Sequence, residues 1–320
     1  MATVHYGELS FAADRGESVL DCLLRNGVPI SHSCKAGACQ SCLVRGRGHV
    51  PESAQRGLKE TLRAQGYFLA CSLRPVEDIA VSPAGPGSRV EARISGLDSM
   101  NDTVMRVRLR TDTTLDYYAG QFVTVFRDDG LARSYSLASL PHENELELHV
   151  RKIPGGAMSE WLHHLAAPDT PLWLQGPSGN CFYTPGNNDE PLLLAGTGTG
   201  LAPLYGVLRD ALLQGHRGPV WLFHGALTPA GLYLTEELAE LCAAHPNFHY
   251  VRSVLREGDD TEVEVGDLDK CILSRFPSLK GWKGYVCGDP ALVNSLRRKL
   301  FLAGMASKAI YADAFVPSAS

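Results

Sequence analysis

The chain has 320 residues, 44% hydrophobic and 20% charged, a globular composition with length for two or three cores, which excludes a disordered or fibrous chain. Its formal net charge of −5 argues against nucleic acid as a partner. No apolar stretch approaches the ~20 residues that span a bilayer, and the opening "MATVHYGELSFAADRGE" lacks the basic and apolar regions of a secretory leader, so no membrane partner and a cytoplasmic location are expected.

In chain order, patterning predicts a strand pair over Thr3 to Phe11, a helix from Ser18 through Arg25 closed by "NGVP", and a strand at Asp78 to Ser82. Between them lie Cys34, Cys39 and Cys42, and then Cys71 alone in "YFLACSLRP". In a reducing compartment clustered thiols are ligands or catalytic groups, and the total of nine cysteines cannot all pair within one chain. The spacing C-x4-C-x2-C…C is that of four thiolates holding a [2Fe-2S] cluster. Zinc is the rival, but its sites usually split into two short knuckles, whereas here three ligands share one loop. The small residues Ala36, Gly37 and Ala38 let that loop wrap closely. Cys22, Cys181, Cys242, Cys271 and Cys287 are scattered and read mostly as small core residues. "CKAGACQSC" followed by "CSLRP" resembles the plant-type ferredoxin domain over about Met1 to Pro83, which implies a β-grasp fold. Lys35, Arg45 and Arg47, near the loop, are either a docking surface for an acidic acceptor or a solvated face.

Breakers at "SPAGPGSRV" and "TPGNNDEP" divide the chain into residues 1–85, 86–186 and 187–320. In the second segment "RVEARISGL", "TVMRVRLRT", "GQFVTVFRD" and "LELHVRKI" alternate like strands of an antiparallel β-barrel. "PGGAMSEWL" is a glycine turn running into a helix, whose free amides suit a phosphate. "AGQFVTV", "RSYSLAS", "PGGAMS" and "QGPSGNCF", in that order, resemble the flavin domain of the ferredoxin-NADP reductase family over about Arg89 to Thr184. The resemblance implies FAD held by Arg133, Ser134, Tyr135 and Ser136. Arg133 would meet phosphate, Tyr135 would pack on the ring, and Ser136 would bond near its reactive nitrogen. Gly155, Gly156 and Ser159 would take the pyrophosphate, with His149, Val150 and Arg151 as edge contacts.

The third segment opens with "PLLLAGTGTGLAPLYGVLRDALLQG", an apolar strand, a glycine turn and a helix, which together form a nucleotide site. Gly196, Gly198 and Gly200 are evenly spaced, so the strict G-x-G-x-x-G pattern fails. "PVWLFHGAL", "TEELAELCAA", "NFHYVRSVL" and "ALVNSLRRKLFLAG" continue the alternation of strand and helix, predicting a doubly wound parallel sheet. "GTGLAP" and "VCGDP" resemble the nicotinamide domain of the same reductases, which implies a site of Gly196, Thr197, Gly198, Gly200, Cys287, Gly288 and Asp289. By that resemblance Cys287 joins Tyr135 and Ser136 as a candidate catalytic residue, and Phe315 would cover the flavin. Leu227 stands where an arginine for a 2′-phosphate is common, which favours NADH; Arg256 keeps NADPH open.

The whole multidomain α+β and α/β chain resembles NADH-dependent reductase components of bacterial multicomponent oxygenases. The resemblance implies hydride transfer to FAD, single electrons through a [2Fe-2S] cluster, and a hydroxylase or Rieske-type partner. Alternatives are a reductase for another soluble acceptor, such as a deoxysugar dehydratase, and a redox sensor without sustained turnover.

Overall fold

The Ser18 hydroxyl accepts the Asp21 amide at 3.1 Å, and this cap starts the first helix where a serine precedes an apolar periodic run. The structure, a computed structural model, describes residues 2–30, 35, 37, 42–47, 50–83, 89–256 and 263–315. The chain separates into two units, residues 1–85 and 86–320.

The first unit contains β1 (Thr3–Tyr6), β2 (Leu9–Ala12), α1 (Val19–Arg25), β3 (Leu43–Arg47), α2 (Glu60–Ala64), β4 (Tyr67–Leu69) and β5 (Ile79–Pro83). The sheet order is β2-β1-β5-β3-β4, parallel between β1 and β5 and antiparallel elsewhere. Val19, Leu20 and Leu23 of α1 pack with Val4, Val44, Phe68 and Val81 of the sheet, and each fully buried side chain contributes about 1.5–3 kcal/mol. One helix laid on a mixed sheet is the predicted ferredoxin-like arrangement.

In the second unit β6 (Val90–Ser99), β7 (Val104–Thr111), β8 (Phe122–Phe126), β9 (Ala132–Ser136), β10 (Leu146–Arg151), α3 (Ala157–His164) and β11 (Pro171–Ser178) come first. Their antiparallel sheet runs β10-β7-β6-β11-β8-β9. A bridge between Leu137 and Leu148 joins its two edges, so the sheet closes into a barrel around Ile94, Val107, Leu109, Val123, Leu148 and Leu174. Alternation revealed four of these strands. It missed β9, which is largely polar, and β11, which begins and ends among proline and glycine.

The remaining elements are β12 (Leu192–Thr197), α4 (Leu201–Leu213), β13 (Val220–Ala226), α5 (Thr235–Ala244), β14 (Phe248–Val254), β15 (Glu264–Val265), α6 (Leu268–Arg275), β16 (Lys283–Gly288), α7 (Pro290–Leu302) and β17 (Ile310–Ala314). All six strands are parallel, in the order β15-β14-β13-β12-β16-β17. Leu201, Leu204 and Leu208 of α4 and Leu238 of α5 cover one face; Ile272 of α6 and Val293, Leu296 and Leu300 of α7 cover the other. The strand order reverses at β12, which puts a ligand crevice beyond the carboxyl ends of β12 and β16.

Glycines set how closely the barrel meets α4. A Cβ on Gly206 would lie 3.1 Å from the Gly120 nitrogen and 3.1 Å from the Leu137 carbonyl oxygen, so a helix interior accepts a residue that costs it about 1 kcal/mol. Arg209 of α4 adds hydrogen bonds to Glu143 at 2.5 Å and to the Ala138 carbonyl at 2.6 Å. Among the described residues no helix is long and apolar enough to cross a membrane.

Candidate functional site

In the first unit Cys34 and Cys39 lie outside the described residues. Cys42 immediately precedes β3 and Cys71 closely follows β4, and the pairing of Leu43 with Leu69 brings the two cysteines together. The Ala70 amide donates to the Cys42 carbonyl at 3.0 Å, and the two cysteines are only 3% and 7% exposed. Gly37 has φ +75°, and a Cβ there would sit 2.8 Å from the Ser72 hydroxyl. Only glycine allows the loop to press on the segment carrying Cys71. Two converging buried thiols and this glycine approach fit a cluster-holding loop. Lys35 pairs with Asp21 at 2.9 Å, and Arg45 donates to the Gln65 carbonyl at 2.9 Å, so both basic groups have partners within their own unit.

The glycine turn of the second unit has two kinds of glycine. Cβ atoms on Gly196 and Gly200 would lie 2.9 and 2.4 Å from the Cys287 carbonyl oxygen, and one on Gly288, at φ +121°, would lie 2.9 Å from that of Thr197. These residues let β12 and β16 touch. Gly198, at φ +52°, is different: its added Cβ would meet nothing nearer than Arg151 Nη1 at 4.0 Å. That face is open to a ligand, with a guanidinium at its edge, and fits a pyrophosphate. Asp289 is occupied otherwise, its Oδ1 accepting the amides of Ala291 and Leu292 at 2.9 and 3.2 Å as the cap of α7.

On the barrel, strand alternation separates Arg133 and Tyr135 from Ser134 and Ser136. Arg133 is half-buried and donates to the Ala132 carbonyl at 2.7 Å. Desolvation raises the Tyr135 hydroxyl above its ordinary range, keeping it neutral, as suits a ring that packs on a flat cofactor. Ser134 pairs with Thr124 at 3.0 Å. Ser136 donates instead to Asp313 Oδ2 at 3.1 Å. Desolvation raises the Asp313 carboxyl while the serine bond lowers it, with a net rise. Asp313 pairs with Cys287 in the β16–β17 register, so the serine, the acid and the glycine crossing form one constellation.

At the start of α3, Gly155 has φ +72° and no atom near its missing Cβ, whereas a Cβ on Gly156 would lie 2.6 Å from Ser159 Oγ. Ser159 Oγ accepts the Ile153 amide at 3.1 Å, and the Gly155 amide donates to Glu160 at 2.8 Å. A ligand phosphate here would therefore replace contacts the turn already makes.

His149 faces away from the barrel interior, and its side chain is 0% exposed. Its Nε2 lies 2.7 Å from Glu147 and its Nδ1 3.1 Å from the Tyr233 hydroxyl. Burial lowers its pKa against the opposing effect of Glu147, so the neutral ring donates from Nε2 and accepts from Tyr233. It thus bridges the barrel and the parallel-sheet domain. Val150 packs in the barrel core, and its carbonyl accepts a bond from His163 at 3.0 Å.

Cys287 is fully buried, and burial pushes its thiol far above the ordinary range, which keeps it protonated beside the crossing. The Phe315 amide donates to the Gly288 carbonyl at 2.9 Å, so the chain past β17 runs beside the crossing. Sequence reasoning missed Asp313. The only signal was its place in "YADAF", two residues before the expected aromatic cover.

Three family models match the chain in succession. Residues 3–76 match the 2Fe-2S iron-sulfur cluster binding domain, 93–183 the oxidoreductase FAD-binding domain and 194–298 the oxidoreductase NAD-binding domain. The chain is 32% identical to the reductase component of the naphthalene 1,2-dioxygenase system of Pseudomonas putida, over 94% of each chain. It is 34% identical to the reductase subunit of an aromatic O-demethylase from an Amycolatopsis species, over 95% of each. The crystal structure of Amycolatopsis cytochrome P450 reductase GcoB superposes with a TM-score of 0.70 at 30% identity, covering 99% of each chain.

Proposed function

The chain belongs to the reductases in which a [2Fe-2S] ferredoxin domain is fused to an FAD- and NAD(P)H-binding module, and from that premise we propose that it uses NADH to supply single electrons to a partner oxygenase. Bound flavin supplies the conversion of a two-electron hydride into single electrons that a [2Fe-2S] cluster can carry. The chain's own part is to bind and orient. Cys34, Cys39, Cys42 and Cys71 would hold the cluster. Arg133 would meet the flavin phosphates, Gly155, Gly156 and Ser159 would take the pyrophosphate, and Tyr135 would pack on the ring. The open face at Gly198, with Thr197 and Arg151, receives the nicotinamide nucleotide. Ser136 would bond near the flavin's reactive nitrogen, and Asp313, which accepts the Ser136 hydroxyl, would hold or release a proton through it. Cys287 and Phe315 exclude water from the crossing.

The hydrogen bond from Ser136 to Asp313 carries this reading, because it joins the R-x-Y-S strand of the barrel to the strand ends that form the nucleotide crevice. NADH is favoured because Leu227, 52% exposed after β13, offers no charge to a 2′-phosphate. The partner follows from the relatives, whose names tie them to oxygenase and demethylase systems. Thiolate cluster ligands need reduced cysteines, which supports a cytoplasmic location.

The test is an anaerobic NADH titration of the purified chain and its Cys71→Ser variant, followed by visible absorbance and EPR. The parent bleaches its flavin and develops a reduced [2Fe-2S] signal. The variant bleaches and reduces ferricyanide but gives no cluster signal and no cytochrome c reduction. Zinc in place of iron, or a flavin that NADH leaves oxidised, refutes the proposal.

A further inference from the structure

Two thiols meet at the nucleotide crevice, one of them, Cys181, without a part in that reading and the other, Cys287, with only the part of a wall. Cys181 follows β11 in the segment leaving the barrel, and Cys287 lies near the end of β16; their sulfurs are 3.3 Å apart across 106 positions of sequence. They are 2% and 0% exposed, and both are free. The Tyr285 hydroxyl is buried and has no hydrogen-bond partner among the described residues. The site therefore holds two buried free thiols in contact.

We propose that Cys181 and Cys287 are a redox-responsive dithiol, which hydrogen peroxide converts to a disulfide that ties the barrel to β16 and suspends hydride transfer. Cys181 sulfur attacks peroxide, an S–O bond forms as the O–O bond breaks, and water leaves. Cys287 sulfur then attacks the resulting sulfenic acid, the S–S bond forms as the S–O bond breaks, and a second water leaves. Two thiols lose two electrons and two protons, and one peroxide becomes two waters. Burial that suppresses the Cys287 thiolate makes the reaction slow, so the pair records sustained rather than momentary peroxide.

Bond formation must draw the sulfurs together by about 1.2 Å, to the ~2.05 Å of a disulfide. Cys287 cannot move alone. Its carbonyl lies only 2.4 Å from the Cβ position of Gly200, and the Gly196 Cβ position is 2.9 Å from the same oxygen, so a pull on this residue reaches the glycine turn directly. Suspension of hydride transfer rests on the proposed reductase function; formation of the bond does not.

The holoprotein and a Cys181→Ala variant are treated with graded hydrogen peroxide, blocked with N-ethylmaleimide in denaturant, digested and mapped by mass spectrometry. NADH-dependent ferricyanide reduction, which bypasses the cluster, is followed in parallel. The expected result is a peptide pair linking Cys181 to Cys287 and loss of most ferricyanide reduction, restored by dithiothreitol. The variant keeps its untreated rate and resists peroxide. Both thiols recovered as maleimide adducts while the exposed parts of the chain oxidise, or equal peroxide sensitivity in the variant, overturns the proposal. A linked peptide without loss of ferricyanide reduction overturns the regulatory half alone. An untreated parent that cannot reduce ferricyanide indicts the reductase reading instead.

Discussion

Ser136 and Asp313 are hydrogen-bonded at 3.1 Å although 177 positions separate them in sequence. The bond spans the barrel and the last strand of the parallel sheet, and it places a desolvated carboxyl one hydroxyl away from the proposed reacting nitrogen.

Replacing Asp313 with asparagine should flatten part of the pH dependence of stability. Its carboxyl is raised above the model-compound value of 3.8, so from about pH 4 up to its folded pKa the native chain retains a proton that the unfolded chain has released. Stability contributed by this group is present below that window and falls as pH rises through it. Thermal midpoints of parent and Asp313→Asn, measured from about pH 4 to 7, should converge at the acidic end and separate in favour of the variant toward neutrality. A constant offset across the range contradicts the assignment. Flavin reduction by NADH should slow in the same variant, since an amide cannot exchange the proton.

Gly200→Ala and Gly198→Ala should fail in different ways. At Gly200 the new methyl meets the Cys287 carbonyl at 2.4 Å, an overpacking that costs about 1–3 kcal/mol and should lower the urea midpoint. At Gly198 space is free, and the cost is the positive φ of 52°, about 1–2 kcal/mol for an L-residue, with a rise in KM for NADH because the open face is filled. Equal KM values in the two variants would rule out Gly198 as the ligand-facing position.

Tyr233→Phe removes the hydroxyl that serves His149 Nδ1 at 3.1 Å. An unsatisfied buried nitrogen costs about 1–3 kcal/mol, so the unfolding midpoint should drop. A midpoint unchanged from the parent would mean that the bridge contributes nothing net.

Leu227→Arg should improve use of NADPH. An exposed pair with the 2′-phosphate contributes up to about 1 kcal/mol, or about fivefold in kcat/KM, and that ratio is measurable by steady-state ferricyanide reduction. No change would place the adenosine end away from β13.

Local pattern made much of this architecture legible in the sequence. The evenly spaced glycines and the alternating barrel strands are short-range signals, and each corresponds to an element described above; of the cysteine loop, Cys34 and Cys39 lie outside the described residues. The contacts that join those elements were not legible. Nothing around Asp313 announces that Ser136 will bond it, and nothing near Cys181 names Cys287 as its neighbour, because both pairings depend on how a closed barrel meets a parallel sheet. His149 shows the same limit: its position in "LELHVRKI" was readable, but the side of β10 it faces depends on strand register, and that side turned out to hold Tyr233.

The bare contact of Gly120 with Gly206 bears on how such reductases diversify. A methyl at Gly206 would press on the Gly120 nitrogen at 3.1 Å and one at Gly120 on the Cys181 carbonyl at 2.4 Å, so either would shift the barrel against α4. The two halves of the second unit are thus keyed to one another. A chimera that borrows a nicotinamide domain whose helix has a larger residue at this turn should bind both cofactors and turn over poorly, whereas exchange of the whole 86–320 unit preserves the key.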